Sequence, residues 1–326
     1  MDDGHSFKKI LADLEQDAPQ VKLLYTTPEL LATENFRGIL KKLQTKSLIS
    51  RLVIDEAHCI SEWGHDFRDD YRKLHFWKDE YPQLQIVGLT ATATSFVRQD
   101  IIKQLHLSTK VKLFISSFNR ANLHFEVRFK PPNNDPYDNM LEFLHQIYRN
   151  REKRIRESGT NERADKVCGI IYCATRKTCD EVASMLKHDQ VKACSYHAGL
   201  TPKTRKAILE SWSGVSSGAV DSRAKPDSSA EAMEPIDIVV ATISFGMGID
   251  KKDVRFVIHY DMPKTLESYY QESGRAGRDG HISRCILYYS HADRDRLLFL
   301  LVQDQGQSGR RVMDSFREVR ACFVNA

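Results

Sequence analysis

Asp55 and Glu56 stand together at the end of the apolar run LISRLVI, and His58 follows after one alanine. An aspartate at a strand end can hold Mg²⁺ beside nucleotide phosphates, usually through water, because Mg²⁺ keeps most of its hydration shell. The adjacent glutamate can orient and polarise a water for attack on a γ-phosphate. An acid pair opening a helix is the other reading of the same residues. The stretch continues as CISEWGHDFRDDY, in which Trp63, Phe67 and Arg68 offer π faces and a guanidinium. Such groups could feel a polymer; a packed aromatic is the plainer role for Trp63. A second cluster, QESGRAGRDG over 271–280, sets Arg275 and Arg278 three residues apart among three glycines. Glycine lets backbone approach a ligand, and arginine forks match phosphate oxygens. A Gly-rich turn with surface arginines is the alternative.

The elements that must position these residues alternate between strand and helix. Val21–Thr27 (VKLLYTT) is a strand candidate, and Pro28 opens a helical stretch to about Lys42. Leu48–Asp55, Gln85–Thr92 and Val111–Ile115 are further strand candidates, with a helix near Phe96–Leu105. Pro131 to Asn134 marks a loop, a helix follows near Tyr137–Tyr148, and the charge-rich stretch to about Lys166 reads as a solvated surface insertion. Alternation then restarts with Val167–Cys173, a helix over 176–187, Val191–Tyr196 and a helix over 202–212. Residues 213–235, rich in Ser, Ala, Gly and Pro, are expected to be a disordered insert. Ile236–Thr242, Arg255–Tyr260, a helix near Leu266–Ser273, Arg284–Tyr289 and a charged helix from about Ala292 complete the pattern. Short apolar strands alternating with helices predict an α/β fold with parallel sheets covered on both faces. Ligand sites in such sheets lie beyond the C-terminal strand ends. Asp55-Glu56, Thr90–Thr92, His197–Gly199 and Thr242–Asp250 all fall at such ends.

At 326 residues the chain is long enough for two domains. Its 41% hydrophobic and 28% charged content is ordinary for a globular protein. No apolar run approaches the roughly 20 residues of a membrane span, so no membrane partner is expected, and residues 1–20 lack a signal-peptide core. A net charge of +4 means that any nucleic-acid site must be a local patch. The seven cysteines are scattered singly, with Cys168 and Cys173 on opposite faces of one strand. Buried reduced thiols, and no zinc site, are expected.

In order along the chain, DEAH, the TAT of Thr90–Thr92, ATISFGMGIDKKDVRFVIHYDMPK and SYYQESGRAGRDG resemble the motifs of a superfamily-two helicase. HCISEWGHDFRDDYRKL resembles the aromatic-rich loop of RecQ DNA helicases, and SFNRANLHFEV, GIIYCATRKTCDEVA and SYHAGL are also similar to RecQ-type sequence. The likeness runs from about Lys22 to Arg296 and is strongest to the Bloom-syndrome type. It implies two tandem RecA-like parallel-sheet domains, the first incomplete. These would span 1–118 and 119–290, with 291–326 starting a C-terminal extension. The implied activity is ATP-dependent, 3′-to-5′ DNA strand separation in recombination and repair, with ATP and Mg²⁺ as cofactors. Single-stranded DNA and duplex junctions would be the partners, and the nucleus the location.

Residue by residue, the resemblance makes Asp55 the Mg²⁺-side acid and Glu56 the catalytic base. His58, Thr90 and Thr92 would couple nucleotide to DNA. Trp63, Phe67 and Arg68 would sense single-stranded DNA, and Thr27, Pro28, Glu29 and His197 would touch its backbone, although His197 could equally be a structural histidine. Gly246, Gly248 and Asp250 would line the nucleotide cleft. Gln271, Arg275 and Arg278 would form the last motif, with Arg278 the better arginine finger.

RecQ helicases carry a phosphate-gripping GxxxxGK[ST] loop. In this chain the pairs Lys46-Ser47, Lys177-Thr178, Lys203-Thr204 and Lys264-Thr265 each lack the preceding glycine. The chain is therefore expected to begin within its first domain and to hydrolyse ATP weakly or not at all. Cys322 would lie where the family's zinc-binding module starts, and it cannot form that site alone. A non-hydrolysing DNA-binding relic and an RNA helicase of a neighbouring branch are the competing readings; the aromatic-rich loop argues against RNA.

Overall fold

The computed structural model describes residues 3–61, 67–108, 110–131, 133, 135–158, 167–214, 235–246 and 249–303. The chain divides into two compact units, Met1–Ser116 and Ser117–Ala326.

In the first unit α1 (Asp3–Leu14), α2 (Pro28–Leu31) and α3 (Glu34–Thr45) precede β1 (Arg51–Ile54). A 3₁₀ turn at Ala57–Ile60, then α4 (Asp69–Arg72), a 3₁₀ turn at Lys73–His75 and α5 (Phe76–Glu80) lead to β2 (Gln85–Gly88) and α6 (Ser95–Gln104). β1 and β2 pair in parallel with Ile54 opposite Gly88, so both strands end at one level. The core comes mostly from helices: α3 buries Phe36, Ile39, Leu40 and Leu43, a 3.6-residue stripe, against Trp77, Val97 and Ile101. One face of the two-stranded sheet stays open, with Val53 and Val87 exposed.

Two expected strands do not form here. Among the described residues Val21–Thr27 and Val111–Ile115 have no ladder partner, and Tyr25 and Phe114 are 88% and 92% exposed. A strand needs a neighbour for its N–H and C=O groups, and apolar composition alone does not supply one. The expected helix from Pro28 to Lys42 breaks at Thr33, whose extended backbone starts α3 afresh.

The second unit holds β3 (Leu123–Phe129), α7 (Tyr137–Ser158), β4 (Gly169–Tyr172), α8 (Arg176–His188), β5 (Ala193–Tyr196) and α9 (Pro202–Ser213). β6 (Ile238–Ala241), β7 (Phe256–His259), α10 (Leu266–Ser273), β8 (Ser283–Tyr289) and α11 (His291–Gln303) follow. Its six strands run parallel in the order β3-β8-β7-β4-β6-β5. Every residue of β4, β6 and β7 is buried, as a sheet covered on both faces requires. Ile171, Val240, Ile258 and Ile286 pack on one side, and Ile170, Val239, Val257 and Cys285 on the other. Cys173 and Cys168 divide between the same two sides, as their spacing predicts.

The alternating LHFEVRF of β3 was legible as a strand only once its partner β8 is known, because Phe125 and Phe129 stay exposed at the sheet edge. α7 continues through the charged stretch to Ser158, where no Gly or Pro stops it. Of the expected insert 213–235, Ser213 closes α9 and Gly214 caps it with left-handed backbone, while 215–234 lie outside the described residues. So do 304–326, which include Cys322. Among the described cysteines, all but the half-buried Cys194 are buried. Burial pushes the Cys285 thiol up to about 12 and the Cys168 thiol higher still. No helix among the described residues is long and apolar enough to cross a membrane.

Candidate nucleotide and DNA site

All four strand-end clusters lie where the alternation places them: directly after β1, β2, β5 and β6. In the first unit the ladder continues past the strands, with Leu89 N–H donating to Ile54 O and Ala57 N–H to Leu89 O, both at 2.8 Å. This fastens the acid turn to the segment entering Thr90. Asp55 is exposed, and its Oδ1 accepts the Glu56 N–H at 2.9 Å. Glu56 has φ +50°, a left-handed conformation that costs a non-glycine residue about 1 kcal/mol or more. That backbone aims its carboxylate back at His58, whose Nδ1 lies 3.3 Å from Glu56 Oε2 and 3.1 Å from Thr90 Oγ1. His58 is 2% exposed, so the imidazole is a buried link between the acid and the Thr90 loop. The Thr90 hydroxyl also accepts the Thr92 N–H at 3.5 Å.

The other half of the stretch is joined to the same turn. Arg68 N–H donates to Cys59 O at 2.9 Å, and Phe67 lies 5.8 Å below the Arg72 guanidinium. Phe67 and Arg68 are half-buried; Trp63 lies outside the described residues. Thr27 caps α2 by accepting the Leu30 N–H at 3.3 Å, with Pro28 opening the helix and Glu29 exposed in its first turn.

In the second unit the Gly-Arg cluster and the loop after β6 are held together. Arg275 donates to the Gly246 carbonyl through Nη1, and its guanidinium fills the space a Gly246 side chain would need. Arg278 Nη1 donates to Ile249 O at 2.8 Å and to Asp250 Oδ1 at 3.1 Å. The Arg278 and Asp250 side chains are 34% and 74% exposed, so this pair faces solvent. Gln271 is half-buried on α10, and Gly248 lies outside the described residues. Tyr172, its hydroxyl held protonated by burial, donates to Phe245 O at 2.8 Å and ties the loop to the sheet.

Two residues of this half carry no role at the sequence level: Arg120 and Asn122, within SFNRANLHFEV. Arg120 donates to the carbonyls of Gly274, Ala276 and Gly277 at 2.7, 2.9 and 2.5 Å. Asn122 Nδ2 donates to Gly277 O at 2.8 Å and His281 O at 2.9 Å. The motif that looked only like a family marker clamps the arginine turn. Gly277 itself has φ +55°, and a Cβ there would stand 2.5 Å from Asn122 Nδ2.

His197 is placed against the start of α8. It is buried, with Nε2 3.0 Å from Asp180 Oδ1, and a Cβ on Gly199 would lie 3.1 Å from Nδ1. The Ser195 hydroxyl first, and His197 second, hold the Asp180 carboxyl below its ordinary range. The ring therefore shapes the 197–200 turn rather than presenting an edge to solvent.

An exposed carboxylate with one oxygen already oriented by a backbone N–H is a hard-oxygen donor, and Asp55 so placed fits a hydrated Mg²⁺.

A family profile described as "DEAD/DEAH box helicase" matches residues 2–100, and "Helicase conserved C-terminal domain" matches residues 150–280. ATP-dependent DNA helicase Q5 of Mus musculus is 42% identical over 294 residues, covering 90% of this chain and 27% of that protein. RecQ-like DNA helicase BLM of Xenopus laevis is 38% identical over 297 residues, covering 91% of this chain and 19% of that protein. The chain thus spans about a quarter or less of the length of these curated relatives. Among solved structures, the Mycobacterium smegmatis helicase Lhr bound to ssDNA and AMP-PNP matches with a TM-score of 0.56 at 17% identity, over 89% of this chain and 34% of that one. S. cerevisiae Dbp5 bound to RNA and ADP BeF3 gives 0.51 at 20% identity, over 82% of this chain and 62% of that one. The structural likenesses establish the RecA-like α/β fold, and the sequence relatives, both BLM-type and Q5-type, establish that this chain belongs to the RecQ family of DEAD/DEAH-box helicases.

Proposed function

We propose that this chain carries the ATP- and DNA-responsive part of a RecQ-type 3′-to-5′ DNA helicase. The observation that carries the reading is the buried relay from the Glu56 carboxylate through His58 to Thr90. A relay of this kind lets a change at the Thr90–Thr92 loop alter the position of the group that would polarise water. Asp55 would hold Mg²⁺ through water and Glu56 would orient the attacking water. When bound, the nucleotide and its Mg²⁺ supply the phosphoryl group and the neutralising charge. Arg278, solvent-facing, is the arginine for phosphate charge, and Arg275 is its positioning neighbour. Gln271, Gly246 and Asp250 frame that arginine turn. Phe67 and Arg68 would contact single-stranded DNA beside the acid turn, with Thr27 to Glu29 on its backbone. Nuclear work at recombination and repair intermediates follows from the family.

The same reading holds that the 326-residue chain alone turns over ATP weakly, since its sequence has no GxxxxGK[ST] to grip the triphosphate. The test is fluorescence anisotropy with single-stranded DNA and forked duplex, beside ATP hydrolysis with and without DNA. Expected are DNA binding and little DNA-stimulated hydrolysis. Stimulated turnover that Glu56→Gln abolishes would keep the helicase assignment and overturn the impairment. Absence of DNA binding would overturn the assignment of the DNA surface.

A further inference from the structure

His75, Asp79 and His106 converge on the surface of the first unit, outside every motif considered so far. His75 ends the 3₁₀ turn at Lys73–His75, Asp79 follows four residues later on α5, and His106 lies just beyond α6. His75 Nδ1 is 2.7 Å from Asp79 Oδ2, and His106 Nδ1 is 2.7 Å from Asp79 Oδ1. The two imidazole centroids are 4.8 Å apart at 38°. One donor atom from each of the three residues lies within 4.8 Å of the others. His106 has φ +50°, a position after a helix where glycine is the usual residue. Its N–H and that of Leu107 bond back to Lys103 O and Ile102 O, so the turn would form without an imidazole.

We propose that His75, Asp79 and His106 form a binding site for a divalent transition metal of the zinc type. Two imidazole nitrogens and a carboxylate oxygen are the donors such ions prefer, and a water would complete a tetrahedron. Mg²⁺ and Ca²⁺ favour all-oxygen shells. On binding, each neutral ring carries its hydrogen on Nε2 and gives its Nδ1 lone pair to the metal. The nitrogens must then move from hydrogen-bond contact to the wider spacing of two metal bonds of about 2 Å, which their exposed side chains permit. The ion would staple α5 to the end of α6, the helix that follows the Thr90–Thr92 loop. In a unit whose described residues form a two-stranded sheet, such a link adds stability by binding the folded state alone. The cysteine spacing gives no hint of this site, because its ligands are not cysteines.

The test uses the full chain, first stripped of metal with chelator and kept reduced. Zn²⁺ is titrated calorimetrically, and Co²⁺ is followed by its visible absorption. Expected are one equivalent of Zn²⁺ and a raised thermal midpoint, both lost in His75→Asn/His106→Asn and in Asp79→Asn. In the unaltered chain, Zn²⁺ should protect His75 and His106, but not His188 or His291, from carbethoxylation read by mass spectrometry. Either failure of the chain to take up Zn²⁺, or equal uptake by the variants with no protection of His75 and His106, overturns the site. The protection measurement stands even if a variant folds poorly.

Discussion

Arg120 Nη1 donates to the carbonyl of Gly274 at 2.7 Å, across a sequence separation of 154 residues. Through this guanidinium the segment leading into β3 holds the turn that carries Arg275 and Arg278. A cation donating to several carbonyls at once is stronger than a neutral hydrogen bond, and removing it leaves acceptors unpaired in a half-buried place.

Arg120→Ala should therefore destabilise the second unit by about 2–3 kcal/mol. Arg120→Lys should recover only part of this, because an ammonium cannot reproduce the guanidinium fork. Urea denaturation followed by circular dichroism measures both. Equal stability of all three proteins would mean that the clamp contributes nothing.

Glu56 offers a reversal of the usual order of substitutions. Its left-handed backbone suits glycine, so Glu56→Gly should be more stable than Glu56→Ala by about 1 kcal/mol. Both variants remove the carboxylate and with it the contact to His58. The comparison of their denaturation midpoints isolates the backbone. An alanine variant as stable as the glycine variant would show that no conformational cost is stored there.

The two arginines of the last motif should separate cleanly. Arg275 is half-buried against the Gly246 carbonyl, so Arg275→Ala should cost about 1–3 kcal/mol of stability. Arg278 pairs with an Asp250 that is 74% exposed, so Arg278→Ala should change stability by no more than about 0.5 kcal/mol. Any loss of nucleotide response in Arg278→Ala then reports on chemistry rather than folding. Thermal unfolding of the two variants in parallel decides whether the roles divide this way.

Acid should weaken the second unit partly through Asp180. Its folded pKa lies below the unfolded value of about 4, so its stabilisation is present above that value and disappears as pH falls through the folded one. Asp180→Asn should lower the thermal midpoint near neutrality and flatten its decline as the pH falls below about 4. A variant whose midpoint falls as steeply as the parent's would assign the acid sensitivity to other carboxylates.

Residue order alone determined the alternation of strand and helix, the parallel sheets and the placement of four clusters at strand ends. The continuous apolar runs of β4, β6 and β7, buried on both faces, and the 3.6-residue stripe of α3 are local consequences of side-chain type, and α10 occupies Leu266–Ser273 as expected. The tertiary structure decided what depends on a distant partner. Val21–Thr27 is not a strand because no neighbour among the described residues takes its backbone groups, whereas β3 is one because β8 does. His197 gains Asp180, 17 residues earlier in sequence, as a ring partner because α8 packs against β5. Arg120 acquires a role only when the turn at Gly274 comes beside it, and His106 when α5 brings Asp79 within reach. Hydrogen bonds and ion pairs require atoms within about 3 Å, and which distant residues come that close is settled by how the elements pack.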